Sequence, residues 1–258
     1  MRLTKKTFIL PSAFTAGNIL CGFYASVSAL RNDLALACWL CVVAGFLDFI
    51  DGKVAMFSHT ESRFGIELDS LADIVSFGMA PGIIMYQFFL KFHGEWAWLV
   101  SFFFVLCGAL RLARFNVETQ GATKTKFKGL PIPMAASALI SFVPFSSTTF
   151  SQNLMHGYSY NRFLVLMIFL VASLMVSTIE YPAVPRFKLS SLQGKTGLVV
   201  FLIIMVVILY YWELLLFPFS FAYIIWGISR ALFLGAASRF PERRADRTSR
   251  IRKKPTEK

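Results

Sequence analysis

The sequence predicts an all-α integral membrane protein with about eight transmembrane helices. Two properties of the 258-residue chain indicate this class: 56% of its residues are hydrophobic, and its mean hydropathy is +0.62. A soluble domain of this length cannot bury so much apolar surface in one core. The third observation is a repeated apolar stretch of roughly 20 residues, which is the length of a helix that crosses a bilayer.

Eight such stretches follow one another along the chain. The expected helices cover residues 12–30, 34–56, 67–90, 96–114, 130–148, 162–178, 197–212 and 214–234. The first one lacks a convincing small-residue cleavage site and leads into a multi-spanning chain, so we expect it to be retained and not removed as a signal peptide. We expect a six-helix core over 1–178, two additional helices within 179–238 and a basic tail over 239–258.

Basic residues are distributed unevenly between the two ends of these helices. Lys and Arg favour the cytoplasmic ends of spanning segments. Of the 26 Lys and Arg residues, 23 fall on the side that holds both termini, and only Arg31, Lys91 and Arg162 fall on the other. The sequence therefore predicts a multi-pass protein of the inner (cytoplasmic) membrane with both termini in the cytoplasm. The formal charge of +12 then reflects topology and anionic lipid headgroups, and we expect no nucleic-acid partner.

Four aspartates in the second and third helices are the strongest functional signal. Asp48 and Asp51 are three residues apart and Asp69 and Asp73 are four apart, so each pair shares one helix face. A short cytoplasmic turn joins the two helices and places all four acids at a similar depth. An ionisable residue inside a span costs at least about 2.5 kcal/mol, and few basic residues lie near enough to neutralise four. The pattern favours a metal site over a cluster of helix caps and salt bridges.

The residue types indicate which ions would suit this site. Oxygen ligands alone suit Mg²⁺, Mn²⁺ or Ca²⁺ better than zinc, and a pair of ions is compatible with four carboxylates. The small residues Gly52, Ala55 and Gly65 leave room for a ligand beside the acids. Ordinary close helix packing explains these small residues about equally well.

Together these residues form the string Asp48-x-x-Asp51-Gly52-x-x-Ala55-x9-Gly65-x3-Asp69-x3-Asp73. The string resembles the signature of the CDP-alcohol phosphotransferases, D-x2-D-G-x2-A-R-x8-9-G-x3-D-x3-D. Its one departure is Met56, which stands where the family has Arg; Lys53 or Arg63 could supply that cation. Segments 69–81, 111–116 and 129–133, and the stretch from Pro11 to Asn18, resemble the bacterial and archaeal phosphatidylserine synthase branch of this family.

The resemblance implies a reaction, a cofactor and roles for individual residues. CDP-diacylglycerol would donate its phosphatidyl group to serine, giving phosphatidylserine and CMP, with Mg²⁺ or Mn²⁺ as cofactor and a homodimer as the assembly. Asp48, Asp51 and Asp69 would be metal ligands, and Asp73 would be the general base on the acceptor hydroxyl while also touching a metal. The residues implied to bind the CDP moiety are Asn18, Asp48, Gly52, Ala55 and Gly65.

Three polar residues near the cytoplasmic end of the fourth helix are candidates for binding the acceptor. They are Arg111, Arg114 and Asn116. A guanidinium presents a planar fork of donors that pairs with carboxylates or phosphates. We expect these residues to bind the serine carboxylate or a phosphate, and the alternative is a set of topology-determining charges that contact lipid phosphates.

Two other functions stay open from the sequence. The same chemistry could use another acceptor, such as inositol phosphate, glycerol phosphate or choline. A divalent-cation transporter would also place carboxylates in spanning helices, although its acids are expected near the bilayer midplane between broken helices. The predicted position of the four aspartates at the cytoplasmic edge favours the transferase.

Overall fold

The computed structural model describes residues 5–58, 63–119, 127–154, 160–181, 196, 206–208 and 210–252, and nearly all of them are helical. The all-α class is therefore confirmed. The helices are α1 (Lys5–Leu30), α2 (Leu34–Ser58), α3 (Arg63–Asp73), a π-helical segment (Ile74–Met79), α4 (Ala80–Phe88), α5 (Trp98–Thr119), α6 (Ile132–Ser146), α7 (Thr149–Leu154), α8 (Tyr160–Val176) and α9 (Trp212–Arg252). Two 3₁₀ turns, Leu90–Phe92 and Glu95–Ala97, connect α4 to α5.

Five described helical stretches are long and apolar enough to cross a membrane. They are Ala13–Leu30, Leu34–Gly52, Phe64–Phe88, Glu95–Glu118 and Trp212–Ala231. Two further apolar helices, α6 and α8, are shorter; the 15 residues of α6 extend only about 22 Å, less than the roughly 30 Å of a hydrocarbon core. The expected helix over 197–212 lies mostly outside the described residues, so the number of eight spans stays a prediction.

Several helix boundaries differ from those expected from the apolar pattern. The third helix begins at Arg63 rather than at residue 67, α5 continues to Thr119, and α9 continues to Arg252. The apolar pattern ends where a span leaves the bilayer, but a helix can continue through residues such as Arg, Glu and Ala, which favour helical backbone. As a consequence, Asn116 lies on α5 and not in the connection that follows it.

The segment before α6 is attached to the end of α8. Strand β1 (Phe127–Lys128) pairs antiparallel with β2 (Glu180–Tyr181). The Gly129 N–H then donates to the Ile179 carbonyl at 2.8 Å, and the Leu130 N–H donates to the Leu174 carbonyl at 3.0 Å. Gly129 has a φ of 81°, and a Cβ there would collide with the Met175 carbonyl. Only glycine fits this turn without strain, and α6 begins three residues later.

Helix α1 packs directly on the π-helical segment. A Cβ on Gly22 would overlap the Ser76 side chain and lie 2.6 Å from the Ser76 Cα atom. Ser76 is fully buried, and its hydroxyl donates to the Asn18 carbonyl oxygen at 2.8 Å. Single π turns inside α-helices are frequent at functional sites. This contact fixes the backbone that follows Asp73.

We expect Gly22→Ala to lower stability by about 1–3 kcal/mol, because the atom it would strike belongs to the backbone and cannot rotate away. Activity should fall with it, since the π-helical segment would shift. Gly45→Ala is the matched control, because a Cβ on Gly45 meets the Phe77 ring at an ordinary 3.7 Å. Thermal unfolding of the purified protein checks this, and equal midpoints for the two variants would contradict it.

Candidate active site

Three carboxylates from two helices converge in the structure. One oxygen each of Asp48, Asp69 and Asp73 lies within 4.8 Å of the other two, and all three side chains are half-buried. Oxygen ligands lie about 2.0–2.6 Å from Mg²⁺ or Ca²⁺, so two ligands of one ion are separated by at most roughly 4–5 Å. The three aspartates are therefore placed to ligate a common divalent ion.

The local sequence explains why these acids meet. Asp48 lies ten residues before the end of α2 at Ser58, and Asp73 lies ten residues after the start of α3 at Arg63. At about 1.5 Å per residue, both are about 15 Å along the helix from the connecting turn. Helix α1 contacts α2, α3 and the π-helical segment, so it holds the two acid-bearing helices in place.

The fourth aspartate, Asp51, lies beside this group. The Thr15 hydroxyl of α1 donates a hydrogen bond to Asp51 Oδ2, and both side chains are buried. Asp51 follows Asp48 by three residues on α2, so the two side chains lie about one helical turn apart on the same face. Its other oxygen, Oδ1, has no hydrogen-bond partner among the described residues. The predicted ligand role of Asp51 stays a prediction, and this unpartnered oxygen is compatible with it.

Several buried polar atoms around the carboxylates share this lack of a partner within the described part of the chain. They are Asn18 Oδ1 and Nδ2, Asp51 Oδ1, Asp73 Oδ1 and Arg111 Nε. Leaving one buried polar group unpaired costs about 1–3 kcal/mol, and native proteins contain few such groups. A bound ion and an anionic ligand would supply the missing partners, so the residues present fit a metal and a phosphate-bearing substrate.

The two predicted anion-binding arginines have different surroundings. Arg114 donates from Nη1 to the Val176 carbonyl at 2.7 Å and from Nη2 to the Ser177 carbonyl at 3.1 Å. Helix ends leave such carbonyls without internal partners, so Arg114 caps α8. Arg111, one turn earlier, is only 7% exposed, and its Nε has no hydrogen-bond partner among the described residues. Arg111 is thus a buried arginine that keeps a donor for an anion.

Asn116 connects α5 to α3. Its Nδ2 donates to Ser70 Oγ at 3.1 Å and to Glu67 Oε2 at 3.2 Å. Ser70 directly follows Asp69 in the sequence, so Asn116 supports the helix turn that carries this ligand candidate. A direct contact between Asn116 and the acceptor stays a prediction.

Of the small residues in the motif, Gly52 has open space around it in the structure. Gly52 is exposed, and a Cβ added there would meet no atom within 4 Å. Gly65 is half-buried on α3. The side chains of Ala55, Met56 and Lys53 lie outside the described residues. The space beside Gly52 agrees with its predicted role next to a ligand.

Sequence reasoning did not identify Thr15 or Ser76 as parts of this site. Thr15 and Asn18 are three residues apart on one face of α1, and that spacing was the available signal. Ser76 gave no such signal, because its contact with α1 depends on the π-helical geometry.

We expect Thr15→Val to weaken metal binding and turnover by about 10- to 100-fold, the usual cost of removing a group that orients a metal ligand. The variant keeps the shape of the side chain but leaves Asp51 without its hydrogen-bond donor. Thr15→Ser retains the hydroxyl and should keep activity close to that of the parent. Catalytic turnover over a Mg²⁺ series checks both variants; equal activities would show that the Asp51 contact has no role.

Comparison with known proteins finds one family, both by a family model and by individual relatives. A family model described as CDP-alcohol phosphatidyltransferase matches residues 8–179. A protein from Helicobacter pylori named CDP-diacylglycerol–serine O-phosphatidyltransferase is 37% identical over 227 residues, covering 88% of this chain and 92% of the relative. Proteins with the same name from Methanocaldococcus jannaschii (37% identity, 70% of this chain and 78% of the relative) and Bacillus subtilis (34% identity, 72% and 96%) are also similar. These matches confirm the resemblance drawn from the aspartate motif.

Proposed function

Because the chain belongs to the CDP-alcohol phosphatidyltransferase family, we propose that it transfers the phosphatidyl group of CDP-diacylglycerol to L-serine, giving phosphatidylserine and CMP. The observation that carries this proposal is the convergence of Asp48, Asp69 and Asp73 within 4.8 Å, inside the region that the family model matches. Membership of this family favours phosphatidyl transfer over cation transport.

The carboxylates would hold the divalent ion that the chemistry needs. Asp48, Asp69 and Asp73 would be its ligands, with Asp51 contributing from the edge of the group. When bound, Mg²⁺ or Mn²⁺ would neutralise charge on the pyrophosphate and polarise the phosphoryl oxygen. Asn18, Gly52, Ala55 and Gly65 bind the CDP moiety together with Asp48.

Asp73 acts on the acceptor hydroxyl. A serine hydroxyl is a weak nucleophile near neutral pH, so a carboxylate within hydrogen-bond reach must accept its proton as it attacks. The serine oxygen forms a bond to the phosphorus that carries diacylglycerol, and the bond from this phosphorus to the oxygen of CMP breaks. The proton ends on Asp73, whose buried Oδ1 has no hydrogen-bond partner in the described part of the chain.

Arg111 supplies the positive charge for the acceptor. It is buried on α5, which packs against the π-helical segment that follows Asp73, and its Nε has no acceptor among the described residues. A buried guanidinium that keeps an N–H group for a ligand pairs well with the carboxylate of serine. Arg114 and Asn116 support this role from neighbouring positions on α5. Arg114 caps the end of α8, and Asn116 donates hydrogen bonds to Ser70 and Glu67 of α3.

The location and assembly follow from the same proposal. The diacylglycerol chains of the donor stay in the bilayer, so the site lies at a membrane face. The charge distribution supports the inner membrane with both termini in the cytoplasm. Within the chain, the region 1–178 is the catalytic core, 179–238 adds two helices, and 239–258 is a basic tail. Two such chains associate as a homodimer.

An acceptor panel tests the proposed reaction. The purified full chain is given CDP-diacylglycerol and Mg²⁺ with labelled serine, glycerol phosphate, inositol phosphate or choline. We expect serine to give labelled lipid and CMP in equal amounts, while the other alcohols give little product. Lipid product from another alcohol and none from serine would overturn the acceptor assignment but not the transfer chemistry.

A further inference from the structure

An isoleucine at the start of α6 lies between the two elements that carry Asp73 and Arg111. Ile132 is fully buried. Its Cδ1 atom is 2.7 Å from the position that a Cβ on Gly108 of α5 would take, and 3.8 Å from the position of a Cβ on Gly78 of the π-helical segment. The end of the Ile132 side chain thus occupies space that these two glycines leave open.

A second isoleucine fills the same space from the π-helical segment. Ile74 Cδ1 is 2.7 Å from the position of a Cβ on Gly78 and 3.6 Å from that of a Cβ on Gly108. Small residues let neighbouring helices in a membrane approach closely, and here the two isoleucines limit the approach. We refer to the contact formed by Ile74, Gly78, Gly108 and Ile132 as the isoleucine spacer.

The isoleucine spacer adjoins both residues that the proposed reaction places on the acceptor. Ile74 directly follows Asp73, and Gly108 lies three residues before Arg111 on α5. Residues three apart share a helix face, so Arg111 projects from the side of α5 that meets the π-helical segment. The thickness of the spacer therefore sets how far the backbone of Arg111 lies from that of Asp73.

We propose that the isoleucine spacer is a specificity determinant, which matches the separation between Asp73 and Arg111 to the length of the acceptor. The inference rests on the proposed function, in which Asp73 takes the proton of the serine hydroxyl and Arg111 binds the serine carboxylate. L-Homoserine carries the same two groups with one more methylene between them. One methylene is worth about 10- to 200-fold in discrimination, and we expect the parent protein to prefer serine within this range.

The ratio of kcat/KM for serine to that for L-homoserine tests this role in the full chain. Gly108→Ala adds a methyl group where the buried end of Ile132 lies, so α5 moves away from the π-helical segment. We expect kcat/KM for serine to fall by up to about 100-fold, the cost of a displacement of about 1 Å. The value for the longer acceptor should fall less, so the ratio should drop at least about threefold. A smaller folded fraction would lower both values equally and leave the ratio unchanged.

A second substitution should restore the ratio. Valine at position 132 lacks the Cδ1 atom that the new methyl group would strike, so Gly108→Ala combined with Ile132→Val should return the ratio toward the parent value. Gly45→Ala is the matched control, because its Cβ meets the Phe77 ring at an ordinary 3.7 Å. This control should keep the parent ratio.

Equal ratios in the parent and in Gly108→Ala would overturn the inference, as would a double variant that keeps the altered ratio. If Gly108→Ala does not fold, Ile132→Val alone gives the test. Its shorter side chain lets the two elements approach, so the preference for serine should rise, and an unchanged ratio would overturn the inference. A parent protein that makes no lipid from serine would instead overturn the proposed function, and the inference with it.

Discussion

Asp73→Asn should lower turnover by about 100- to 10,000-fold, the contribution of a positioned general base, while CDP-diacylglycerol still binds. The amide has nearly the shape of the carboxylate but cannot accept the proton of the acceptor hydroxyl. Asp73 is also one of the three converging carboxylates, so the variant should need more Mg²⁺ for its residual activity. Product release measured at saturating serine gives the rate, and equilibrium binding of the donor lipid gives the affinity.

Asp33→Asn provides the control for this substitution. Asp33 is exposed, and its Oδ1 accepts a hydrogen bond from the Leu36 N–H at the start of α2. Asparagine fills this capping position about as well as aspartate, so activity should not change. If Asp73→Asn keeps a rate within a few-fold of the control, Asp73 is not the base.

Removing divalent ions should abolish activity as completely as losing the base. Without a cation, Asp48, Asp69 and Asp73 repel one another and repel the pyrophosphate of the donor. We expect chelation to stop CMP release and added Mg²⁺ or Mn²⁺ to restore it, with Zn²⁺ less effective because it prefers nitrogen and sulfur ligands. Full activity in a protein shown by metal analysis to be free of divalent ions would exclude this role.

The sequence was sufficient to predict the class of fold and the central acids. Hydropathy reflects the solvent around each segment, so it predicted the all-α class, and five of the described helices are long and apolar enough to cross a membrane. Asp48, Asp69 and Asp73 were predictable because helical periodicity and a short turn determine where such residues lie relative to one another. These are local rules, and tertiary contacts do not change them.

Contacts between distant segments were not predictable in this way. Arg114 matched the pattern of an anion-binding arginine, but its acceptors are the carbonyls of Val176 and Ser177, more than 60 residues away. The π-helical geometry after Asp73 accompanies the close approach of Gly22, which no spacing rule describes. Likewise, Tyr181 packs against α9 because residue 227 is glycine, where a Cβ would overlap the Tyr181 ring. Such features require the assembled fold.

We propose that Asp48, Asp69 and Asp73 together bind the divalent ion on which catalysis depends. Titration of metal-free protein with Mn²⁺ measures this binding by electron paramagnetic resonance, and CMP release is followed in the same samples. We expect binding and activity to rise together in the parent, and both to require at least about tenfold more Mn²⁺ in Asp48→Asn and Asp69→Asn. Unchanged Mn²⁺ binding in these variants, or full activity without bound ion, would show that these aspartates do not hold a catalytic ion.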